Sequence, residues 1–316
     1  MTTKEIFNLA LALGRKADLR GEDKVAKYLE RQKKAYEALP EKVKAEFDLE
    51  KLNNPYSDTR LLVDNNRPEI KKILTGIDMG GSELLLARQM GDIDLVISHH
   101  PDGVALADLS DVMHLQAQVL ADYGVPINIA ESVIKPRISE VSRGVSPLNH
   151  ERSVDMAKLL GLDFMCVHTP ADNLGASFLI KLFKEKGQEL ETVGDILELL
   201  KTIPEYQAAM RTKTGPMIFA GAPENSCGKI VVTEFTGGTS GSKDIYEKMA
   251  QYGIGTIIGM HMEEEHRKEA EKYHLNVVIA GHIASDSLGM NLFLDEVEKK
   301  GIEVIPTSGL RRIKRF

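Results

Sequence analysis

The spacing of apolar residues changes near residue 70 of the chain. Before this point, apolar residues recur at helical spacing over residues 6–13 and again over 25–39, where Lys and Glu occupy the other face. Pro40 and the turn at residues 53–55 interrupt the pattern. We therefore predict a helical N-terminal extension over residues 1–60, whose plain role would be packing or contact between copies of the chain.

After residue 70, short β-branched runs alternate with amphipathic helical stretches. A first series of predicted strands lies at residues 73–78, 95–98, 127–130 and 164–168, and a second at 230–235, 256–258, 277–280 and 303–305. A helical stretch over residues 177–210 separates the two series. Strands that alternate with helices of this length indicate βα units and mainly parallel sheet. We therefore predict an α/β fold with two lobes, at residues 61–180 and 181–316, and a cleft between them.

Composition and charge narrow the class of protein. The chain has 316 residues, of which 42% are hydrophobic and 28% charged, and its formal net charge is −7. These values are typical of a folded globule without the clustered Lys and Arg that neutralise nucleic-acid phosphates. The basic run at residues 311–315 is the exception, and we interpret it as a solvated tail in preference to a phosphate contact. Nucleic acid is therefore not the expected partner.

Cysteine content and hydropathy indicate the compartment. The two cysteines, Cys166 and Cys227, lie far apart without CxxC spacing, which fits a reducing cytosol. The sequence contains no run that approaches the roughly 18 apolar residues needed to span a bilayer. The first residues also lack the apolar core of a signal peptide. We therefore expect a soluble, cytoplasmic protein without a membrane partner.

Two adjacent histidines, His99 and His100, follow the predicted strand at residues 95–98. Neighbouring side chains in a regular strand point to opposite faces and could not share a site. Pro101 ends the strand, however, so both imidazoles can turn into the crevice at its carboxyl end, where open α/β sheets bind ligands. Alone, the pair could equally be a partly exposed pair in a loop.

Two histidine–aspartate pairs also follow predicted strands. His168 and Asp172 come after residues 164–167, and His282 and Asp286 after residues 277–280, each pair four positions apart. Either pair could be an ordinary histidine beside a helix cap, but three such elements predict a shared metal site. Imidazole and carboxylate ligands suit zinc, iron, manganese or cobalt. Two carboxylates can bridge two cations, and the resulting positive site would favour an anionic group such as phosphate.

Two further segments have the composition of known motifs without their spacing. Residues 237–243 resemble a P-loop, but Lys243 follows Ser242 and precedes an aspartate, so a tight βα turn is favoured over an anion-binding loop. His261 and His266 lie five positions apart and cannot chelate one zinc ion as a helical i, i+4 pair. A supporting role for His261 near the metal site stays open.

Taken together, the motifs resemble the NIF-three-like (NGG-interacting factor three-like) family, many of whose members carry the name GTP cyclohydrolase I type 2. The matching motifs, in order over residues 70–310, are Gly76-Ile77-Asp78, His99-His100, His168 through Asp172, Gly237-Gly238, and Gly281-His282 through Asp286. The resemblance implies a two-lobed α/β fold, assembled into a hexameric toroid. It also implies two divalent metal ions bound by His99, His100, Asp172, His282 and Asp286.

Three departures from the family pattern affect these expectations. Asp286 stands where the family usually has glutamate, so bridging of two metals from its shorter side chain is an open question. Met260-His261 replaces the usual Thr-Gly-acid sequence, and Asp58-Thr59-Arg60 only faintly resembles the family's Asp-Asn-x-Gly turn. Residues before 55 lie outside the match.

Two hypotheses of function follow. The first is a metal-dependent hydrolase acting on a phosphorylated or nucleotide-like small molecule, with catalytic residues not identified. The alternative is a non-catalytic metal-binding scaffold, metallochaperone or interaction protein. Cyclohydrolase chemistry would require hydroxide to attack a purine imidazole ring. A metal site for that reaction could not use cysteine in this chain, because neither Cys166 nor Cys227 lies in a ligand motif. Metal content and turnover would distinguish the two hypotheses.

Overall fold

The strands form two mixed sheets in the structure, a computed structural model that describes residues 1–316 apart from the side chain at position 188. The strands are β1 (Arg60–Val63), β2 (Lys72–Gly76), β3 (Leu95–Ser98), β4 (Asp163–Cys166), β5 (Met217–Ala220), β6 (Lys229–Val232), β7 (Ile254–Gly259), β8 (Asn276–Ile279) and β9 (Glu303–Thr307). The first sheet has the order β1-β4-β3-β2-β9 and the second β5-β8-β7-β6. Each is parallel except for one antiparallel edge strand, β1 or β5.

Helices flank both sheets. They are α1 (Thr3–Ala17), α2 (Glu22–Glu37), α3 (Glu41–Lys44), α4 (Gly81–Met90), α5 (Gly103–Ala107), α6 (Leu109–Val112), α7 (His114–Asp122), α8 (Ile127–Val145), α9 (Arg152–Leu160), α10 (Thr169–Lys186), α11 (Val193–Lys201), α12 (Pro204–Arg211), α13 (Ile245–Gln251), α14 (Glu264–Lys272) and α15 (His282–Glu298). Short 3-10 helices lie at Leu49–Leu52 and Gly187–Glu189. Within the described part of the chain, no helix combines the length and apolar character needed to cross a membrane.

The central strands have the composition expected of buried parallel sheet. All four residues of β3 and all four of β8 are buried, which fits strands covered by helices on both faces. The predicted α/β class, with two mixed sheets between helices, is therefore confirmed. The edge strands β1 and β5 were absent from the sequence prediction. Unlike β3 and β8, each is only partly buried, and each pairs in the antiparallel sense.

The N-terminal extension is helical as predicted, but its first helix belongs to the core. A capping box between Thr2 and Glu5 starts α1. Ile6 and Phe7 of this helix are buried in the same cluster as Ile97 of β3. By contrast, α2 buries only Val25. The extension therefore consists of one core helix and one surface helix.

Residues 127–130 are not a strand, contrary to the sequence prediction. They form the first turn of α8, which follows Pro126 and buries Ala130, Ile134 and Val141 on one face. A short apolar run does not distinguish a strand from the start of a buried helix, and here the helical spacing continues beyond it. Although α8 lies between β3 and β4 in sequence, Ile134 packs against Val231 of the second sheet.

The last strand and the basic tail also differ from the sequence prediction. The strand at 303–305, placed there in the second series, is β9 and pairs in parallel with β2 of the first sheet. The tail is only partly solvated, because Arg312, with only 6% of its side chain exposed, pairs with Asp295 and Glu298 of α15, although Lys314 stays exposed. Arg315 pairs with the fully buried Glu205 of α12. The arginines therefore neutralise buried carboxylates from other elements.

Candidate metal centre

The predicted histidines and aspartates meet where the carboxyl ends of β3, β4 and β8 approach one another. His99 and His100 directly follow β3, and His168 immediately precedes α10. Pro170 occupies the first turn of α10, a position at which proline fits a helix start. The cluster thus draws on strands of both sheets, at the end of the strands where α/β proteins bind ligands.

Gly281 determines how α15 presents its polar residues. Its backbone has φ +106°, a conformation that L side chains rarely adopt, and a Cβ there would lie 2.5 Å from the carbonyl oxygen of Thr214. The chain therefore turns sharply after β8, and α15 begins at His282. His282 and Asp286 then face the same way, with 3.6 Å between Nε2 and Oδ2.

A close crossing of α10 and α15 brings the two aspartates together. A Cβ at Gly289 of α15 would lie 2.2 Å from the carbonyl oxygen of Ala171 in α10, so only glycine permits this approach. Asp172 of α10 and Asp286 of α15 both face the centre and are almost completely buried. The spacing between the two carboxylates therefore depends on backbone contact between the helices.

Three imidazoles are oriented by acceptors behind them. His99 Nδ1 lies 3.0 Å from the carbonyl oxygen of Val167, and His100 Nδ1 lies 2.7 Å from Asp78 Oδ1. His168 Nδ1 lies 2.8 Å from Asp58 Oδ2. Carbonyl and carboxylate oxygens only accept, so each Nδ1 carries the proton and donates it. When the ring is neutral, this leaves the unprotonated Nε2 of each imidazole to face the centre, as in metal-ligating histidines.

Asp58 is the most buried of these supporting groups. Its side chain has no solvent exposure, and Oδ2 also accepts a hydrogen bond of 2.6 Å from Thr169 Oγ1. The neighbouring Thr59 Oγ1 accepts from the backbone N–H of His168 at 3.0 Å. The turn before β1 therefore holds both the ring and the backbone of His168.

The two oxygens of Asp286 face different histidines. Oδ1 lies 3.5 Å from His99 Nε2, which is itself 3.4 Å from Asp172 Oδ1. Oδ2 lies 3.5 Å from His100 Nε2 and 3.6 Å from His282 Nε2. His168 Nε2 is 3.8 Å from Asp172 Oδ2. The site therefore contains two sets of ligand-type atoms that share one carboxylate.

The donor set fits a metal ion. His99 Nε2, Asp172 Oδ1 and both carboxylate oxygens of Asp286 are buried, and none has a hydrogen-bond partner among the described residues. Buried polar atoms of this kind are rare, because each costs about 1–3 kcal/mol when unpartnered. Two ligand atoms that are each ~2.1 Å from a tetrahedral ion lie ~3.4 Å apart. The separations of 3.4–3.6 Å are too long for good hydrogen bonds but suit atoms that share an ion.

Three overlapping groups in the cluster could hold a metal ion: His99 with His100 and His168, His100 with His282 and Asp286, and His99 with Asp172 and Asp286. All five residues predicted from the sequence thus lie together. His168 was predicted only as part of a motif, and Asp58 and Asp78 were not predicted to touch the site.

The pKa values in the cluster reflect burial and the close charges. Burial opposes protonation of His168, but the charges of Asp172 and Asp58 outweigh it and raise the pKa to about 9. Burial raises the pKa of Asp172 to about 6, against the attraction of nearby imidazoles. Burial likewise lowers the pKa of His282 to about 4. For Asp286, burial is outweighed by the imidazoles of His99 and His100, and its pKa lies far below the ordinary value.

A cleft with about 320 Å³ of empty space, part of it open to solvent, leads to the cluster. Residues 238–240 form one wall of this cleft, in a turn that Gln116 holds by donating from Nε2 to the carbonyl oxygens of Gly237 and Thr239 at 2.9 and 2.6 Å. His261 lines the cleft with its ring centroid 4.7 Å from that of His282. Burial lowers the pKa of His261. His261 thus lies beside the predicted site, where the sequence left its role open.

Comparison with known proteins identifies solved structures with a similar α/β fold. Neither a family model nor a curated protein matches the chain. The crystal structure of a NIF3 superfamily protein from Sphaerobacter thermophilus is similar over 98% of this chain and 99% of that chain, with a TM-score of 0.79 and 27% identity. Reduced HcgD from Methanocaldococcus jannaschii covers 84% of this chain and 94% of its own (TM-score 0.49, 16% identity). A Bacillus cereus protein related to NIF3 covers 82% and 91% (TM-score 0.37, 11% identity).

The chain therefore shares its fold with a NIF3 superfamily protein, and the resemblance that its motifs predicted is confirmed. The similarity to the Sphaerobacter thermophilus protein extends over nearly the whole chain, whereas the sequence motifs began near residue 70. The N-terminal helices are thus part of the shared fold and not an addition to it.

Proposed function

We propose that the protein is a metal-dependent hydrolase that holds two divalent ions, which we expect to be zinc, iron, manganese or cobalt. The observation that supports this most directly is the set of four buried, unpartnered ligand atoms at the end of a solvent-accessible cleft. In this proposal, His99, Asp172 and Asp286 would hold one ion, and His100, His282 and Asp286 would hold the other. His168 Nε2 would complete the first set.

The position of Asp286 supports a bridging role despite its short side chain. Glutamate, usual here in the family, is one methylene longer. The close crossing at Gly289 carries α15 towards α10, and we infer that this approach compensates for the missing methylene. Each Asp286 oxygen is then about equally far from a histidine of its own set.

Divalent ions in this site would supply Lewis acidity, which polarises a phosphoryl or carbonyl oxygen and makes water a better nucleophile. The chain's own residues would position the ions and handle the proton. His99, His100 and His168 are held in the ligating tautomer from behind. His261, in the cleft wall beside His282, is our candidate to accept the proton that the attacking water releases.

The charge around the site refines the expected substrate. Asp58 and Asp78 join Asp172 and Asp286, so four carboxylates balance two divalent cations and the positive excess expected from the sequence disappears. The described residues that line the cleft include no lysine or arginine, the usual partners of phosphate. Among phosphorylated substrates we therefore propose a singly charged, nucleotide-like phosphodiester in preference to a phosphomonoester dianion.

Metal analysis and a substrate panel test this proposal. Protein purified without chelator or His-tag should contain two ions per chain and hydrolyse a phosphodiester faster than the matching monoester. Asp172→Ala should abolish turnover and remove mainly one ion, whereas Asp286→Ala should lose both. Activity that survives Asp172→Ala would exclude this site as its source. Metal transfer to an apo-protein without any hydrolysis would instead support a metallochaperone or scaffold.

The family resemblance also leads us to propose a homohexamer located in the cytoplasm. Light scattering would distinguish a hexamer of 35.0 kDa chains from a monomer at micromolar concentration. A monomer would exclude the toroid and leave the metal site untouched.

A further inference from the structure

The strand β6 lies at an open edge of the second sheet. It is the last strand in the order β5-β8-β7-β6, so one of its two sides has no neighbouring strand. On that side the backbone N–H of Val232 donates to the hydroxyl of Tyr123 at 3.2 Å, whereas the next N–H, that of Thr233, donates to Ile258 of β7. Backbone groups alternate sides along a strand, so the N–H and C=O of Ile230 point away from β7 like those of Val232. Ile230 therefore offers a donor and an acceptor to a strand placed beside it.

A groove of about 350 Å³, open to solvent, lies along this edge. Ile230 and Val232 of β6 form part of its lining, and α10 with the segment after it supplies an apolar wall that includes Ile180, Phe183 and Leu190. Every second side chain of a strand points to the same face. A strand added beside β6 would therefore bring alternate side chains against this apolar wall, as Ile230 and Val232 themselves are.

The charge of the groove is positive. Lys184 of α10 is the one charged residue among the described residues that line it, and its side chain is exposed. The acid of the neighbouring 3-10 helix, Glu189, already pairs with Lys186 at 3.0 Å. The groove thus presents a cation without an acid in its own lining, although the chain as a whole carries a net charge of −7. A carboxylate on the bound segment would complement it.

These features select the occupant of the groove. The open N–H and C=O call for an extended backbone, the wall for apolar side chains at alternate positions, and Lys184 for an acid beside them. A second copy paired through the same strand would bring another Lys184 to the contact instead of an acid. We propose that the β6 edge binds an extended, acidic segment of a partner protein, which adds to the second sheet as a further strand. This binding does not depend on metal chemistry.

A synthetic peptide tests strand addition directly. Acetyl-Thr-Val-Thr-Val-Thr-Glu-Thr-amide places both valines and the glutamate on one face of a strand. Fluorescence anisotropy of the labelled peptide with the full chain should show saturable binding. N-methylation of alternate residues blocks one edge of the peptide, so one of the two methylated series should bind at least tenfold more weakly and the other like the unmodified peptide. No binding of the unmodified peptide, or an equal effect of both methylations, would overturn the proposal.

An exchange of charges locates the bound peptide. The matched peptide with lysine in place of glutamate should bind about fivefold more weakly at low salt, a change of the size expected for an exposed ion pair. Lys184→Glu should invert this preference, and its tighter binding of the lysine peptide would show that the variant is folded. Lys300→Glu makes the same change of charge at an exposed position outside the groove and should keep the original preference. A preference that Lys184→Glu leaves unchanged would place the peptide elsewhere and refute the proposal.

Ile230→Pro tests the open backbone of β6. Proline removes the N–H that points away from β7 and leaves the hydrogen bonds to β7 in place, as prolines in edge strands do. Peptide binding should weaken at least tenfold in Ile230→Pro and less than threefold in Ile230→Val, which keeps the N–H. The metal content should not change, because Ile230 does not line the metal cleft. Unchanged peptide affinity in Ile230→Pro would contradict the proposal. So would a second copy on this edge, recognised by a lower mass of Ile230→Pro in light scattering and no peptide binding by the parent protein.

Discussion

The substitution Asp58→Asn tests whether a buried carboxylate behind His168 tunes the metal centre. Asparagine keeps the shape of the side chain and removes its charge. Asp58 Oδ2 accepts two hydrogen bonds, of 2.8 Å from His168 Nδ1 and 2.6 Å from Thr169 Oγ1, and has no solvent exposure. Hydrogen bonds to a charged, desolvated group contribute about 1.5–3 kcal/mol. We therefore expect metal affinity to fall by roughly 30- to 100-fold, the upper part of the range for groups behind a ligand.

Asp78→Asn provides the matched control. Asp78 supports His100 in the same way, at 2.7 Å, but 71% of its side chain is exposed. Solvent screening makes such a contact weaker, so we expect a loss of only a few-fold. Both affinities can be measured by competing zinc between the protein and a fluorescent chelator. Urea unfolding of the metal-free variants would show whether either substitution acts through the fold.

The comparison of the two variants shows whether burial sets the strength of these contacts and whether His168 is a metal ligand. If the losses were equal, burial would not set the strength of these contacts. If Asp58→Asn bound metal like the parent protein, His168 would not be a ligand, and the first ion would have to be held by His99, Asp172 and Asp286 alone.

Three further predictions follow. In the metal-free protein, the pKa of His168 is raised to about 9, so its imidazole is protonated at neutral pH. Metal binding should therefore release at least one proton at pH 7.5, and the metal affinity should fall about tenfold per pH unit below 9. Calorimetry in two buffers measures the number of protons released. Burial raises the pKa of Glu234 to about 7, so ionisation of this carboxyl should lower the free energy of unfolding as the pH rises from 5 to 8. In Glu234→Gln this decrease, measured by urea unfolding, should be smaller by about 2 kcal/mol. Arg312→Ala should cost about 3 kcal/mol of unfolding free energy, because two buried carboxylates lose their buried guanidinium partner and Glu298 keeps only the exposed Lys314. Lys314→Ala, with 55% of its side chain exposed, should change the unfolding free energy by less than about 0.5 kcal/mol.

The sequence predicts the centre of the site well because its residues follow buried strands. His99 and His100 after β3 and His282 after β8 carry a local signal, since an apolar run ends at each of them. Parallel strands of one sheet align their carboxyl ends, so the residues that follow β3 and β4 meet even though they are far apart in the chain. The residues that follow β8 come from the second sheet and reach them through the close crossing of α15 and α10. The same reasoning explains why the α/β class and the family were predictable.

Other features depend on contacts that leave no local pattern. Asp58 lies in a turn before an unpredicted edge strand, 110 positions from the His168 that it supports. The tail appeared solvated because basic runs usually are, yet the acids that pair with Arg312 and Arg315 come from α15 and α12. Residues 127–130 were misassigned because apolar β-branched residues suit a strand and a buried helix start equally. In each of these cases, contacts between residues far apart in the chain determined the structure, and local propensity did not.

The order of the site along the chain has a consequence for how the protein matures in the cell. His99, His100 and Asp172 are synthesised well before His282 and Asp286, and β9, which completes the first sheet beside β2, follows both. A nascent chain still lacking α15 would have neither Asp286 nor the helix crossing that positions it. If the site binds metal as proposed, loading would therefore come at the end of biogenesis, after translation has delivered α15. A stalled or truncated chain would leave its early histidines without the partners needed to retain an ion.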